Sequence, residues 1–451
     1  MSISQAVIAS HRLGLGPHPG DLELIKADPK AWLLSQIGAE SDVVFLSSQE
    51  VLELQSQIRE ARNQQNESQI QEISASLRRA GISDAAARIR QGIETKTPFA
   101  ERLVHFWSNH FAISLDKGAV SGLGGSFEGE AIRPHVFGRF EELLLASTTH
   151  PGMLLYLDNA QSIGPNSQAG SRRNRGINEN LAREILELHT LGVRGGYSQE
   201  DVTNFAKILT GWSVAAPQVS ERANTIVGSF AYLERAHEPG RHTLLGKSYA
   251  DNGMEQGLAV LKDLATHEKT AEHIATKLAR HFIADEPPLS AIEALKNSFL
   301  QSGGDLSSLY KTLVELDQVW QPSETKIRTP QEWMTAILRG VGDTNLGRRA
   351  LRDNQLVGSL NTLGQPVWRP GSPAGWPDEA DRWTGSDALG KRIEWANTVA
   401  QQLAGRLPAE QWQTTLFGTS LDENLASSVA RAESNAQALV LVAMAPGMMR
   451  R

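Results

Sequence analysis

The stretch NENLAREILELHTLG, residues 178–192, places Glu184, Glu187 and His189 on one predicted helix. At roughly 100° per residue, Ile177, Leu181, Ile185 and Leu188 form an apolar arc, with Glu184 projecting between that arc and Leu191. A carboxylate in such a position is costly unless paired or neutral, and burial raises its pKa. Glu184 is therefore the candidate general acid or base, or a metal ligand, and Asn180, one turn earlier, a candidate substrate contact. Glu187 falls toward the polar face near Arg183, where an ordinary ion pair is expected. His189 lies roughly 140° around the helix from Glu184, so the two cannot chelate an ion as an i, i+4 pair would. It reads either as a catalytic imidazole or as a hydrogen-bonded core residue.

Three further clusters carry chemically useful side chains. In HFWSNHF, His105 and Asn109 share one stripe, while His110 joins Phe99, Leu103 and Phe106. His110 is thus a catalytic candidate or a satisfied core histidine, and the five-residue His spacing is not the zinc-protease pattern. In HEPGRH, His237, Glu238 and His242 surround a Pro-Gly turn, so His237 and Glu238 are metal-ligand or general-acid candidates. Turns also gather polar residues without function. HIATKLARHF sets His273, Lys277 and His281 on one helix face beside Arg280. That face would bind an anionic group or simply be solvated, and His281 is also a metal-ligand candidate. With no cysteine in the chain, a bound divalent metal would be a hard or borderline ion held by N and O ligands.

Two loops complete the inventory. Arg172, Arg173 and Arg175 precede the Asn178 helix start, where arginines beside free helix N–H groups would form an anion site. Trp368, Trp376 and Trp383 lie in a Pro/Gly-rich loop over 363–385. They would stack on sugar or aromatic rings, or pin the loop to the body.

Helices must position most of these groups. A short amphipathic helix is expected over 21–40 and two long helices over 47–95, the latter packed as an exposed antiparallel hairpin. Thr97 and Pro98 read as a helix start. Helices are further expected at 133–150, 178–192, 198–211, 254–266, 268–284, 289–302, 305–317, 330–341, 386–404 and 421–444. The pattern breaks at 220–250, where NTIVGSFAYLER and HTLLGKSY suggest a small β-hairpin insertion. The reading is a single, mainly α, multi-helix bundle-like domain over 1–451 with a long helical hairpin near its N-terminus.

Composition narrows the function classes. The 451 residues are 40% hydrophobic and 21% charged, an ordinary globular balance. A net charge of −7 argues against a nucleic-acid partner. The absence of cysteine excludes a thiol nucleophile, disulfides and cysteine-ligated clusters. No stretch approaches 18 apolar residues, and the start lacks the charged and apolar regions of a signal peptide, so the chain reads as cytoplasmic without a membrane span.

RLGLGPHPGDL, PFAERLVHFWSNHFAIS, MLLYLDNAQSIGPNS, NENLAREILELHTLGV, HEPG, IATKLARHF and GQPVWRPGSPAGWPD together resemble the bacterial family called domain of unknown function 1800, from about residue 5 to the C-terminus. The resemblance supplies no catalytic residue. It implies a partner, because members are often encoded beside a phosphatase/sulfatase-like family that frequently carries a twin-arginine signal. A periplasmic location, reached by export while bound to that partner, is the corresponding expectation. The first functional expectation is an enzyme whose Glu/His-lined pocket hydrolyses or otherwise modifies an oligomeric or glycan-like substrate. The alternatives are a non-catalytic partner or assembly protein and a haem-binding helical protein.

Overall fold

Thr97 and Pro98 open the helix on which much of the chain is packed. Pro98 occupies its first turn, where the missing N–H costs nothing. Thr97 makes no side-chain cap; its hydroxyl lies 3.2 Å from that of Thr95. The Pro98–His110 helix buries Phe99, Leu103, Phe106 and His110, the stripe that its sequence pattern predicts, and Trp107 as well. The computed structural model describes residues 3–172, 176–215, 226–322, 326–342 and 352–451, with Arg172 in its backbone alone. Among these the fold is mainly α, with two small antiparallel sheets.

Around Phe99 and Trp107 lies a large apolar core, formed with helices that include Phe140–Thr149, Gln199–Ile208, Met254–Ala265, Glu268–Phe282, Leu289–Gln301 and Leu306–Glu315. A second core holds Trp333, Ile337, Leu360, Trp412 and Leu439. Its helices are Pro330–Val341, Asp353–Thr362, Ser386–Leu403, Ala409–Phe417 and Asn435–Ala443. The predicted helical hairpin consists of Ser48–Asn63 and Glu67–Glu94, joined over Val51, Leu52, Ile58 and Leu77. It is more than an exposed pair, because Ala85 and Ile89 of its second helix enter the second core. Each fully buried aliphatic side chain of this kind stabilises by about 1.5–3 kcal/mol.

Several boundaries differ from the sequence reading for identifiable reasons. The expected 21–40 helix splits into Asp21–Ile25 and Pro29–Leu34, because Asp28 caps a fresh start by accepting from the Ala31 N–H at 2.9 Å. The 133–150 helix begins only at Phe140, after a 3₁₀ turn at Arg133–His135. Ser434 caps a new helix within 421–444 and divides it into Glu423–Ala430 and Asn435–Ala443. Asp353–Thr362 and Ala409–Phe417 are helical where none was expected.

The β insertion also differs. Residues 220–225 of the expected 220–250 hairpin lie outside the described residues. His242–Leu244 and Lys247–Tyr249 pair with each other, turned by Leu245 and Gly246 at φ 51° and 76°. Two successive positive φ values match the hairpin turn whose twist suits the strands. Phe230–Tyr232 pairs instead with Trp212–Val214. No helix among the described residues is long and apolar enough to cross a membrane.

Candidate active site

A cleft of about 540 Å³ opens between the two cores, within the size range of small-molecule sites. Three segments supply its central groups: the Pro98–His110 helix, the Glu268–Phe282 helix and the loop over 363–385. The Glu268–Phe282 helix buries Ala271, Ile274, Ala275, Leu278, Ala279 and Phe282 on one side. Residues three and four apart share a helix face, so His273, Lys277 and His281 emerge together into the cleft beside Arg280. The cation face expected from HIATKLARHF therefore lines a cavity.

His281 is held by the loop. Its Nδ1 lies 3.1 Å from Asp378 Oδ2, and an ionised carboxylate can only accept, so Nδ1 carries the proton. The opposite nitrogen, Nε2, is buried with no protein partner. Burial lowers the His281 pKa to about 4, with Arg451 and Arg102 adding to the effect and Asp378 opposing it. The imidazole is thus neutral at neutral pH, with a bare lone pair on Nε2. Burial pushes Asp378 upward, but His281, Lys326 and Arg451 outweigh that and hold it below its ordinary value.

Behind this pair stands a second set of charges. Glu332 opens the Pro330–Val341 helix in a capping box with Thr329. It also accepts from Arg102 Nη2 at 2.5 Å and pairs with Arg451 Nη2 at 3.0 Å. Arg451 Nη1 donates to the His281 carbonyl at 2.6 Å. Lys326 Nζ donates to Asp285 Oδ1 at 2.6 Å and to the Asp378 carbonyl at 2.5 Å. These contacts fix the His281–Asp378 pair from below.

Lys277 is different. It is largely buried, lines the cleft and makes no hydrogen bond or ion pair among the described residues. Burial lowers its pKa to about 8; Arg280 acts in the same direction, while Asp378 and Glu379 oppose it. His110 lies deeper, 1% exposed, with Nε2 donating to the His189 carbonyl at 3.1 Å. Its Nδ1 is buried without a partner. Burial and then Lys277, His189 and His273 hold its pKa well below the ordinary value.

The loop presents Trp376 to the same cavity. Asn109 clamps its backbone, donating to the Trp376 carbonyl at 2.9 Å and accepting from the Trp376 N–H at 2.7 Å. Gly375 makes this approach feasible: its φ is +82°, and a Cβ there would lie 2.3 Å from the Asn109 carbonyl oxygen. Gly375→Ala is expected to cost about 1–3 kcal/mol and to displace Trp376, read as a thermal-stability loss together with altered tryptophan emission. An unchanged melting temperature and spectrum would show that the clamp is dispensable.

The remaining predicted residues are distributed as follows. His105 lines the cleft, with Nε2 3.2 Å from Glu101 Oε1. His189 does not line it, although its ring centroid is 6.1 Å from that of His110; it is a buried core residue beside Phe111. Glu184 is also outside the cleft. Burial and Glu187 raise its pKa as expected, but it sits half-buried near Tyr156. The expected single helix there is Asn180–Glu184 followed by a π turn, Ile185–His189; the wider turn invalidates ideal-helix projection beyond Ile185. Asn180 is exposed and borders a separate open depression with Asp158 and Glu179.

His237, Glu238 and His281 do not form one metal site. His237 Nδ1 donates to the Thr210 carbonyl at 3.1 Å, and Glu238 accepts from Asn166 N and Nδ2 at 2.8 and 2.5 Å. Glu238 fastens the 164–170 segment and His237 the end of the Gln199–Ile208 helix at Thr210, whereas His281 pairs with Asp378. No group of three or more His, Asp or Glu among the described residues is arranged to hold a metal ion. Trp368 forms a wall, not a stacking platform: it is buried and its Nε1 donates to Glu128 Oε2 at 3.2 Å. Trp383 closes the loop on itself, its Nε1 donating to the Pro377 carbonyl at 2.9 Å. Arg173 and Arg175 lie outside the described residues, as does the side chain of Arg172.

Sequence reasoning passed over Asp378, Glu332 and Arg451. Asp378 follows Trp376-Pro377 inside a quoted motif, yet nothing local ties it to a histidine 97 residues away.

Fold and site together define a mainly α protein with a cation-rich cleft built around a carboxylate-held histidine and an unpaired lysine. The chain belongs to the family described as protein of unknown function DUF1800, which it matches over residues 8–450. No curated protein and no solved structure matches it.

Proposed function

We propose that the chain is an enzyme that carries out acid–base chemistry on an anionic, glycan-like substrate in this cleft. The observation that carries the reading is the His281–Asp378 pair with a buried, unpartnered Nε2 one helix turn from the unpaired Lys277. Nε2 is the proton acceptor, and Asp378 fixes the tautomer and orientation. Lys277 and Arg382, beside an Arg280 that Glu379 already pairs at 3.6 Å, favour a substrate carrying negative charge. That charge would in turn raise the depressed His281 pKa of about 4 toward neutrality and return Lys277 from about 8 toward its ordinary value. Trp376 offers a partly exposed ring against which a sugar ring can stack.

A panel of neutral, carboxylated, sulfated and phosphorylated oligosaccharides, followed by NMR, tests the reading. Acidic members should turn over and neutral ones should not, and His281→Gln should lower kcat by about 10²–10⁴. No turnover across the panel, or turnover indifferent to His281, would remove it. The phosphatase/sulfatase-like partner and export in its company remain a separate proposal resting on the family resemblance. Co-elution from size-exclusion chromatography after co-expression supports it, and separate elution at micromolar concentration counts against it.

A further inference from the structure

Among the described residues Lys326 is the one fully buried lysine, and it is paired. The Lys326 side chain is 1% exposed and is held by Asp285 and the Asp378 carbonyl. Lys277 is partly exposed, lines the cleft and has no such partner, and an ammonium drawn out of water without a counterion is costly. Its helix turns the opposite face into the core, so the amine is directed into the cavity instead. His273 and His281 flank it one turn to either side, and Arg280 follows within the same turn.

Resting on the reading of the cleft as an active site, we propose that Lys277 is an amine nucleophile that forms an imine with an anionic aldehyde or ketone, such as an oxo acid or the open-chain form of an acidic sugar. The nitrogen lone pair forms the C–N bond while the carbonyl π pair moves to oxygen. Nitrogen gives up two protons, the oxygen leaves as water, and C=N remains; no oxidant or reductant is consumed. Histidines in the cleft are placed to carry the protons, His281 through Nε2 and His110 through Nδ1, both without protein partners. A desolvated lysine beside another cation is the environment that activates an amine. Its pKa of about 8 leaves roughly 10² times more free amine at neutral pH than an ordinary lysine has. The rim cations favour carbonyl compounds that are also anions, and an imine retains a positive charge beside that anion when protonated.

Glyoxylate, an aldehyde acid, is the probe. The full chain is incubated with glyoxylate and sodium cyanoborohydride at pH 7.5, which converts an imine into carboxymethyl-lysine, and sites are read by peptide mass spectrometry. Lys277 should be modified at least tenfold faster than the exposed Lys26 and Lys247. Oxalate, an anion without a reactive carbonyl, should protect it, and Lys277→Arg should lose the rapid phase. Labelling of Lys277 no faster than that of Lys26 and Lys247 overturns the proposal, and it does so on the unaltered protein. Calorimetry with oxalate separates the two readings. Oxalate binding that His281→Gln and Lys277→Met abolish, without rapid labelling, keeps the active-site reading and removes the imine. Neither binding nor labelling removes both.

Discussion

Glu128→Gln should destabilise the protein by about 3–5 kcal/mol, the usual cost of breaking a buried ion pair by removing one partner. The Glu128 side chain is fully buried. Its Oε2 accepts from Arg88 Nε at 2.5 Å, Ser108 Oγ at 2.9 Å and Trp368 Nε1 at 3.2 Å. Its Oε1 accepts from Arg133 Nη2 at 2.6 Å. Burial alone would push this carboxyl up, yet Arg88 and Arg133 hold its pKa at about 2. Glutamine keeps the volume but leaves Arg88 buried with only Gln331 as a partner, while Arg133 retains Glu101. Urea denaturation should show a lower midpoint at unchanged slope. A loss below about 1 kcal/mol would mean that water enters the network and screens it as at a surface.

Acidification should unfold the protein near pH 5, above the range in which carboxylates titrate. Burial holds His11 and His189 at about 3, His273 and His281 at about 4, and His110 well below its ordinary value. In the unfolded chain these imidazoles titrate near 6.5. A depressed folded pKa means that the unfolded state binds more protons below 6.5. The stabilisation is therefore complete above that pH and falls as pH drops toward the folded values. Each histidine contributes a slope of about 1.4 kcal/mol per pH unit, so five exhaust a typical stability of about 5–15 kcal/mol within one or two units. Asp84, raised to about 6 by burial, and Glu184, raised by burial and Glu187, act in the opposite direction but are two groups against five. Circular dichroism melts between pH 7 and 4 would show the fall, and a melting temperature constant down to pH 4.5 would contradict it.

Periodicity revealed the long helices because their buried faces repeat every three or four residues. For the same reason it grouped His273, Lys277 and His281, and paired His105 with Asn109; all five line the cleft. Where local geometry departs from an ideal helix, the reading failed. The π turn at Ile185–His189 takes His189 off the ideal projection, and Glu184, just before it, lies half-buried outside the cleft despite its place in an apolar arc. His237 and Glu238 have metal-ligand chemistry but direct it at backbone and amide groups of a neighbouring segment. Asp353–Thr362 and Ala409–Phe417 are short and weakly patterned, so their helicity comes from packing against the second core. Asp378, Glu332 and Arg451 acquire meaning only through partners far away in sequence, which composition and spacing do not encode.

The Arg451 guanidinium, lodged beneath His281 and against Glu332, has a consequence for how the protein is made. During synthesis Arg102 and His281 leave the ribosome long before residue 451, and until then Glu332 has only Arg102 of its two cationic partners. Helices closed by local contacts can form early, whereas pairings this distant are slow to close. The floor of the cleft therefore closes later than the local helices, and a chain lacking the Arg451 guanidinium would be largely folded yet leave Glu332 with Arg102 alone.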